Sequence, residues 1–171
     1  MFTLRYITRG FIDGSLSTLG IVLGAAIGGD PKIVIAAGIG GGMANAISNL
    51  LGAITAEKAG IMLDLMKYEK SMVGSKINLK DTKIYEKEKK RIWRAGISDA
   101  VATFFGSVIP VLPFIPAFFT DMDSAATTSI AITIALLFGL GFYLGKLSKE
   151  NLLWAGTKMA IFGGITAVLA M

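Results

Sequence analysis

Long apolar runs separated by short charged connections are the feature of this sequence that most limits its fold. Hydrophobic residues make up 53% of the 171 positions and charged residues only 17%, against about 45 to 50% and about 25% in ordinary soluble domains. Most of the charge falls within residues 57–94, and the rest of the chain carries little. This distribution is typical of a membrane protein with one insertion outside the bilayer.

The apolar runs predict an all-α integral membrane protein with five transmembrane helices and a short cytosolic helical insertion between the second and the third. Each run is close to the roughly 20 residues that a helix needs to cross the bilayer, and helices satisfy their own backbone hydrogen bonds in lipid. The predicted spans are 11–29, 33–56, 96–120, 125–146 and 151–171. We therefore divide the chain into residues 1–56 with the first two helices, 57–95 as a cytosolic hairpin, and 96–171 with the last three.

The basic residues in the connections lie on one side of these predicted helices, except Lys32, which lies on the other side beside Asp30. Arg5 and Arg9 precede the first helix, eleven lysines and arginines fall within 57–94, and Lys146 and Lys149 follow the fourth helix. The positive-inside rule then places the N-terminus in the cytoplasm and the C-terminus outside the cell membrane. Because the basic charge is explained by topology, we expect membrane lipid and no nucleic acid as a partner.

Several classes of chemistry are excluded by residue types that the sequence lacks. It has no cysteine and no histidine, which rules out thiol nucleophiles, imidazole bases and zinc sites built from those ligands. No Gly-x-Ser-x-Gly elbow is present to hold a serine nucleophile. We expect neither an enzyme nor a permanently bound cofactor, and a metal ion here must use carboxylate, thioether, amide, hydroxyl or backbone ligands.

Asp13 lies inside a long hydrophobic run that carries no other charge. No other charged residue occurs between Arg9 and Asp30, and a mid-membrane aspartate costs about 2.5 to 3.5 kcal/mol even on insertion scales. Such residues usually face a cavity, a partner or a transported ion. Ser17 and Thr18 follow closely and can add polar lining. We predict that these three residues line an ion path and that Asp13 binds metal.

Two further ionisable residues lie near the ends of predicted helices. Asp99 is about 5 Å along the third helix, and Lys158 is about 10 Å along the fifth. We expect Asp99 to be solvated at the interface, with a place on the ion path as the alternative. Lys158 either extends to the interface or pairs with an aspartate as an internal countercharge on that path.

The cytosolic insertion carries a second candidate metal site. Met66, Glu69 and Met72 recur at three-residue steps, which places them on one face of a helix where they are able to hold a soft divalent ion. The alternative is an amphipathic packing stripe with solvated charges. The basic charge of the same segment favours that alternative, because it repels cations.

Glycines and prolines mark helix contacts and breaks. Gly20, Gly24 and Gly28 are four residues apart, a spacing that lets helices approach closely in lipid. Pro110, Pro113 and Pro116 occur in the outer half of the third span. Because proline lacks a backbone donor, we expect a kink there, with freed carbonyl oxygens that have no helical partner.

The first helix resembles that of a known family. Its run Gly10-Phe-Ile-Asp-Gly-Ser-Leu-Ser-Thr-Leu-Gly-Ile-Val-Leu-Gly24 is similar to the first helix of the vacuolar iron transporter (VIT) family, whose hallmark is an Asp-Gly pair followed by Ser/Thr and glycine. Residues 106–114 resemble that family's third helix, and 156–170 resemble the glycine-rich end of its fifth. The resemblance covers nearly the whole chain, including five spans, the insertion and the orientation.

The resemblance implies a homodimeric antiporter that exchanges Fe²⁺ or a similar divalent ion such as Mn²⁺ for protons, along a path between protomers. Asp13 matches the family's essential aspartate. The second helix departs from the family's Ser-Met-x-x-Gly-Glu-Tyr pattern, because Asn49 replaces the methionine and Ala53 replaces the glutamate. Asn49 still offers an oxygen ligand, and Glu57, one turn further along, is a candidate replacement for the lost carboxylate.

Two functional hypotheses follow from these observations. The first is a transporter of divalent cations, with the metal ion as substrate and protons as the exchanged ion. The second is a non-transporting membrane scaffold whose basic cytosolic hairpin binds anionic lipid or a protein partner, since each lysine or arginine near an anionic leaflet contributes about 1 kcal/mol.

Overall fold

The chain folds into helices throughout the part that the structure, a computed structural model, describes: residues 2–71, 83–118 and 121–171. No strand occurs in these ranges, which confirms the all-α class. The helices are α1 (Phe2–Ala26), α2 (Pro31–Ser71), α3 (Lys83–Val111), α4 (Met122–Ser148) and α5 (Leu152–Ala170), and two short 3-10 turns, Leu112–Phe114 and Pro116–Phe118, follow α3.

Four of the described helices are long and apolar enough to cross a membrane. These segments are Pro31–Tyr68, Tyr85–Phe114, Met122–Ser148 and Leu152–Ala170. Helix α1 is not among these four, and Asp13 and several hydroxyl side chains interrupt its apolar run. It is also the central helix, packing most extensively against α3 and contacting α2, α4 and α5 as well. A helix enclosed by other helices presents less of its surface to lipid, so it tolerates more polar residues.

Helix α2 is longer than a bilayer requires. Its 41 residues correspond to about 60 Å at 1.5 Å per residue, roughly twice the thickness of the hydrocarbon core. The helix continues without interruption past residue 56, where the second predicted span ends. The predicted hairpin at 57–95 therefore includes the end of α2 and the start of α3, while residues 72–82 lie outside the described part of the chain.

Short polar side chains begin three of the helices. The Ser124 backbone N–H donates to Asp121 Oδ2 at 3.2 Å at the start of α4, and Asn151 caps α5 in the same way. Asp30 precedes Pro31 at the start of α2, where proline's missing donor costs nothing. The Ser124 hydroxyl, followed by backbone hydrogen bonds, holds the pKa of the Asp121 carboxyl below its ordinary value.

The proline-rich end of α3 is tied to two other helices. Pro110 has no N–H, so the Gly106 carbonyl four residues earlier loses its helical donor. The Ser15 hydroxyl on α1 lies 3.2 Å from that carbonyl oxygen and 2.8 Å from the Phe11 carbonyl oxygen of its own helix, so the two acceptors share its one proton. The carbonyl of Pro110 itself accepts from the Ser129 hydroxyl on α4 at 2.7 Å. These two carbonyls therefore fasten α3 to its neighbours inside the protein.

Replacing Ser15 with alanine is expected to destabilise the protein by about 1 to 3 kcal/mol, the cost of leaving a buried acceptor unsatisfied. Ser15 is fully buried, so water has no direct access to the Gly106 carbonyl in its place. Thermal unfolding of the detergent-purified chain measures the change. Thr127→Val is the matched control, because the Thr127 hydroxyl is exposed and bonds only within α4; an equal loss in both variants contradicts the role given to Ser15.

Glycines bring α1 and α3 into close contact. A Cβ at Gly14 would lie 2.9 Å from the carbonyl carbon of Thr103, and one at Gly106 would lie 3.1 Å from the carbonyl carbon of Phe11. These backbones approach as closely as glycine allows. By contrast, a Cβ at Gly24 meets nothing within 4 Å, so the predicted seam of regularly spaced glycines on α1 is not packed there within one chain.

Candidate functional site

Asp13 lies where α1 faces two amide side chains of α2. Its Oδ2 accepts hydrogen bonds from Asn45 Nδ2 at 3.0 Å and from Asn49 Nδ2 at 2.7 Å. The two asparagines are one helical turn apart, which places both amides on the same face of α2. The structure therefore brings together Asp13 and Asn49, which the sequence analysis selected, and adds Asn45.

The hydrogen bonds continue from the asparagines to hydroxyl groups on α1 and α3. Asn45 Nδ2 donates to Ser17 Oγ, and Asn49 Nδ2 donates to Thr103 Oγ1, both at 2.8 Å. We call Asp13, Ser17, Asn45, Asn49 and Thr103 the polar network. Both protons of each amide are used, whereas neither amide carbonyl oxygen accepts a hydrogen bond from the described residues. The two amide oxygens are therefore free of hydrogen bonds within the described part of the chain.

The polar network is open on one side only. Thr103 is buried, but the four members on α1 and α2 are partly exposed. Thr18, also predicted to line the path, is completely buried, and its hydroxyl oxygen finds no partner among the described residues. Thr18 is therefore outside the polar network, and the accessible side is formed by Asp13 and the two asparagines.

The structure corrects two expectations about charge. Asp99 is fully buried and forms an ion pair with Arg9, so the expectation of a solvated side chain was wrong; the close packing of α1 on α3 covers it. Lys158 pairs with neither aspartate. It is exposed and borders a groove between α1, α4 and α5. Arg9, assigned only to topology, is the countercharge that was expected of Lys158.

Glu57 belongs to a second cluster, near the N-terminal end of α1. The Tyr6 hydroxyl donates to Glu57 Oε1, and Glu57 Oε2 lies 4.0 Å from Arg91 Nη2. The Tyr6 side chain precedes the predicted first span, and burial, followed by the hydrogen bond to Glu57, raises the pKa of its hydroxyl above the ordinary value. Glu57 is thus engaged with Tyr6 and Arg91 and does not join the polar network.

The second candidate metal site is only partly described. Met66 is exposed on α2, while the Glu69 side chain and Met72 lie outside the described residues. Within the described ranges, no group of three or more acidic side chains is placed to hold a metal ion. The metal-binding role of Met66, Glu69 and Met72 stays a prediction.

The residues that the sequence analysis missed share one signal. Asn45 lies four residues before Asn49, Arg9 lies four before Asp13, and Thr103 lies four after Asp99. Polar residues four apart occupy one face of a helix. Recurrence of polar residues at this spacing within apolar runs therefore identifies the inward faces of all three helices.

Comparison with known proteins identifies the family of this chain. The sequence profile of the VIT family matches residues 53–171, a range that begins after Asp13 and Asn49. An uncharacterized protein of Methanocaldococcus jannaschii is 46% identical over 165 residues, covering 96% of this chain and 85% of the relative. The profile match extends over more than half of the chain and includes four of its five helices in whole or in part. This chain therefore belongs to the VIT family, whose members are membrane transporters rather than enzymes.

Proposed function

We propose that this protein carries a divalent cation of the Fe²⁺ or Mn²⁺ type across a membrane in exchange for protons. Membership of the VIT family indicates metal-ion transport. The observation that carries the finer proposal is the partly exposed Asp13 carboxylate, which accepts hydrogen bonds from the Asn45 and Asn49 amides in the polar network. A buried or half-buried acid in such a setting is suited to handling a cation.

The ligand atoms available at the polar network are hard oxygens. Asp13 supplies a carboxylate, the two asparagines supply amide carbonyls, and Ser17 supplies a hydroxyl. Such ligands suit Mg²⁺, Mn²⁺ and Fe²⁺. The amide nitrogens face Asp13 in this structure, so cation binding requires the Asn45 and Asn49 amides to turn their oxygens inward.

Proton exchange is assigned to the same carboxylate. Asp13 is the only titratable member of the polar network, so it is the group there that alternates between a bound cation and a bound proton. Proton binding neutralises the acid when the cation has left, which lowers the cost of returning the empty site through a region of low dielectric constant. In this proposal, exchange results because the Asp13 carboxylate binds the cation and the proton in turn.

We propose a homodimer with five spans per protomer, α1 included, a cytoplasmic N-terminus and an external C-terminus. Small residues recur every fourth position along the exposed face of α2, at Ala36, Gly40, Ala44, Ser48 and Gly52. A Cβ at Gly40 or Gly52 meets nothing within 4 Å. Stripes of this kind let helices associate in lipid. This stripe borders Asn45 and Asn49, so a second copy seated on it would close the open side of the polar network.

Gly40→Leu is expected to weaken the dimer about tenfold or more in dissociation constant, since a large side chain keeps the two helices apart. Light scattering during size-exclusion chromatography in detergent measures the mass of the assembly. Gly139→Leu is the control, because Gly139 lies on an open face of α4 with nothing within 4 Å of its Cβ position. Equal dimer fractions in both variants contradict the proposed face.

Flux measurements on reconstituted liposomes test the transport proposal. Vesicles that contain a metal-sensitive dye and a pH-sensitive dye are challenged with Fe²⁺, Mn²⁺, Co²⁺ and Mg²⁺. We expect Fe²⁺ or Mn²⁺ to enter the vesicles while protons leave them, so that the internal pH rises. Absence of flux for all four ions rejects transport, and metal entry without any pH response rejects the exchange.

The non-transporting scaffold is the second candidate, and one surface favours it. Lys89, Lys90, Trp93 and Arg94 border a groove on α3, a combination of basic and aromatic side chains that suits an anionic leaflet. Replacement of the three basic residues with glutamine distinguishes the hypotheses. A scaffold loses its association with anionic lipid and shows no flux in any form, whereas a transporter retains flux.

A further inference from the structure

We propose that Asp99 is a second carboxylate on the route of the cation, and that Arg9 is a tethered competitor that occupies it until a divalent cation displaces the guanidinium. This inference rests on the transport function proposed above. It assigns a role to the ion pair that joins α1 and α3, which lies outside the polar network.

The Asp99 carboxylate is only half satisfied. Its side chain is completely inaccessible to solvent, and Oδ2 is bound by the Arg9 guanidinium. The other oxygen, Oδ1, finds no hydrogen-bond donor in the described part of the chain. A buried, charged acceptor without a donor is costly. An additional positively charged ligand would satisfy this oxygen, whereas the ion pair with Arg9 involves only Oδ2.

A short chain of polar atoms joins Asp99 to Asp13. Asn49 Nδ2 bonds both Asp13 Oδ2 at 2.7 Å and Thr103 Oγ1 at 2.8 Å. The Thr103 hydroxyl in turn donates to the backbone carbonyl of Asp99 at 2.8 Å. One amide and one hydroxyl therefore lie between the two acidic residues. The chain reaches the main-chain carbonyl of Asp99, so it links the segment that carries the second carboxylate to the polar network.

Arg9 has the properties of a displaceable occupant. Its side chain is 52% exposed while that of Asp99 is 0% exposed, so only the guanidinium end is engaged. The guanidinium also lies 5.4 Å from the centre of the Tyr6 ring, a cation–π contact that gives it a partner besides Asp99. Because arginine stays protonated, its competition with a cation does not depend on its own titration.

Equilibrium binding of Mn²⁺ to the detergent-purified full chain tests this role, with free Mn²⁺ followed by electron paramagnetic resonance. Arg9→Gln removes the competitor, and we expect Mn²⁺ affinity to rise by about fivefold to a hundredfold, the usual range for coupled ligands. Arg9→Lys, which retains a positive charge, is expected to stay nearer to the wild type. Asp99→Asn is expected to lower the affinity or remove one bound Mn²⁺ per chain.

Arg5→Gln is the matched control. Arg5 also lies over the Tyr6 ring, at 5.7 Å, but forms no ion pair with any described residue. Its replacement is expected to leave Mn²⁺ binding unchanged. A lower unfolding temperature in Arg9→Gln with unchanged Mn²⁺ affinity shows that the ion pair is structural and overturns the proposal, even if Asp99→Asn does not fold.

The outcome separates this inference from the transport proposal. One outcome is that flux is lost in Asp13→Asn while Mn²⁺ affinity does not respond to Arg9→Gln. This outcome rejects the competitor role of Arg9 and supports the transport proposal. Absence of Mn²⁺ binding and of flux in the wild type and in every variant rejects both the competitor role of Arg9 and the transport proposal. Tighter binding in Arg9→Gln, without change in Arg5→Gln, supports the competitor directly.

Discussion

Divalent-cation flux is expected to fall by about a hundredfold or more when Asp13 is replaced by asparagine, since even groups that only orient a metal ligand cost up to about that much. Asparagine has nearly the same shape, and its carbonyl oxygen still accepts hydrogen bonds from Asn45 and Asn49. The fold should therefore survive, while the charge that balances a divalent cation is lost. Initial rates of Mn²⁺ entry into liposomes, at equal protein content, measure the effect.

Asp123→Asn is the control for this experiment. Asp123 is an exposed acid in the first turn of α4, remote in sequence from the polar network, and its replacement is expected to leave flux unchanged. Thermal unfolding of each variant shows whether the fold persists. Flux in Asp13→Asn within about twofold of the wild type would make the Asp13 carboxylate a structural anchor between α1 and α2 and would contradict the proposed path.

Hydropathy predicted the all-α class of this fold because it reports on the bilayer, which acts on each helix separately, whereas the orientation inferred from charge placement stays a prediction. The all-α class follows from the length of the apolar runs and from the ability of a helix to satisfy its own backbone hydrogen bonds in lipid. The continuation of α2 beyond the second predicted span follows from its helical pattern of apolar residues. The polarity of α1 was also visible in the sequence, but its central position depends on contacts with four other helices, which no single run encodes.

Asp13 and Asn49 were selected for the ion path because each is a polar residue within an apolar run; Asp13 matches the VIT pattern, whereas Asn49 replaces its methionine. The structure shows that the two side chains are in contact, and their role in transport stays a prediction. The expectation for Asp99 was wrong because it used only the position of Asp99 along α3, and the sequence does not show which other helix covers this side chain. The covering residue is Gly10: a Cβ there would lie 2.9 Å from Asp99 Oδ1. The burial of Asp99 thus depends on the distance between α1 and α3, which the sequence around Asp99 does not reveal.

Glycine spacing shows the same limit of sequence reasoning. The regular series at Gly20, Gly24 and Gly28 attracted attention because four-residue spacing favours helix pairing. Within one chain the tightest contacts instead involve Gly10 and Gly14 on α1 and Gly106 on α3. Gly10 and Gly14 are also four residues apart, so spacing alone does not tell which pair of glycines meets another helix.

Gly14→Ala is therefore expected to be the most destabilising of the substitutions considered, by about 3 kcal/mol or more, the upper range for overpacking of a well-packed interior. The new methyl group would lie 2.9 Å from the Thr103 carbonyl carbon and 3.0 Å from the Ser107 backbone nitrogen. Both are backbone atoms within α3, so no side chain can rotate away. Relief requires α1 and α3 to separate, which also moves Asp13 away from the asparagines of α2 and abolishes flux.

Gly24→Ala on the same helix separates steric conflict from helix propensity. Its Cβ position is open for 4 Å in every direction, and alanine in a helix interior is favoured over glycine by about 0.5 to 1 kcal/mol. We expect Gly24→Ala to unfold at or slightly above the wild-type temperature, and Gly14→Ala to unfold far below it or fail to accumulate in the membrane. Equal stability of the two variants would show that α1 and α3 are not held at glycine distance, and the polar network between them would lose its structural basis.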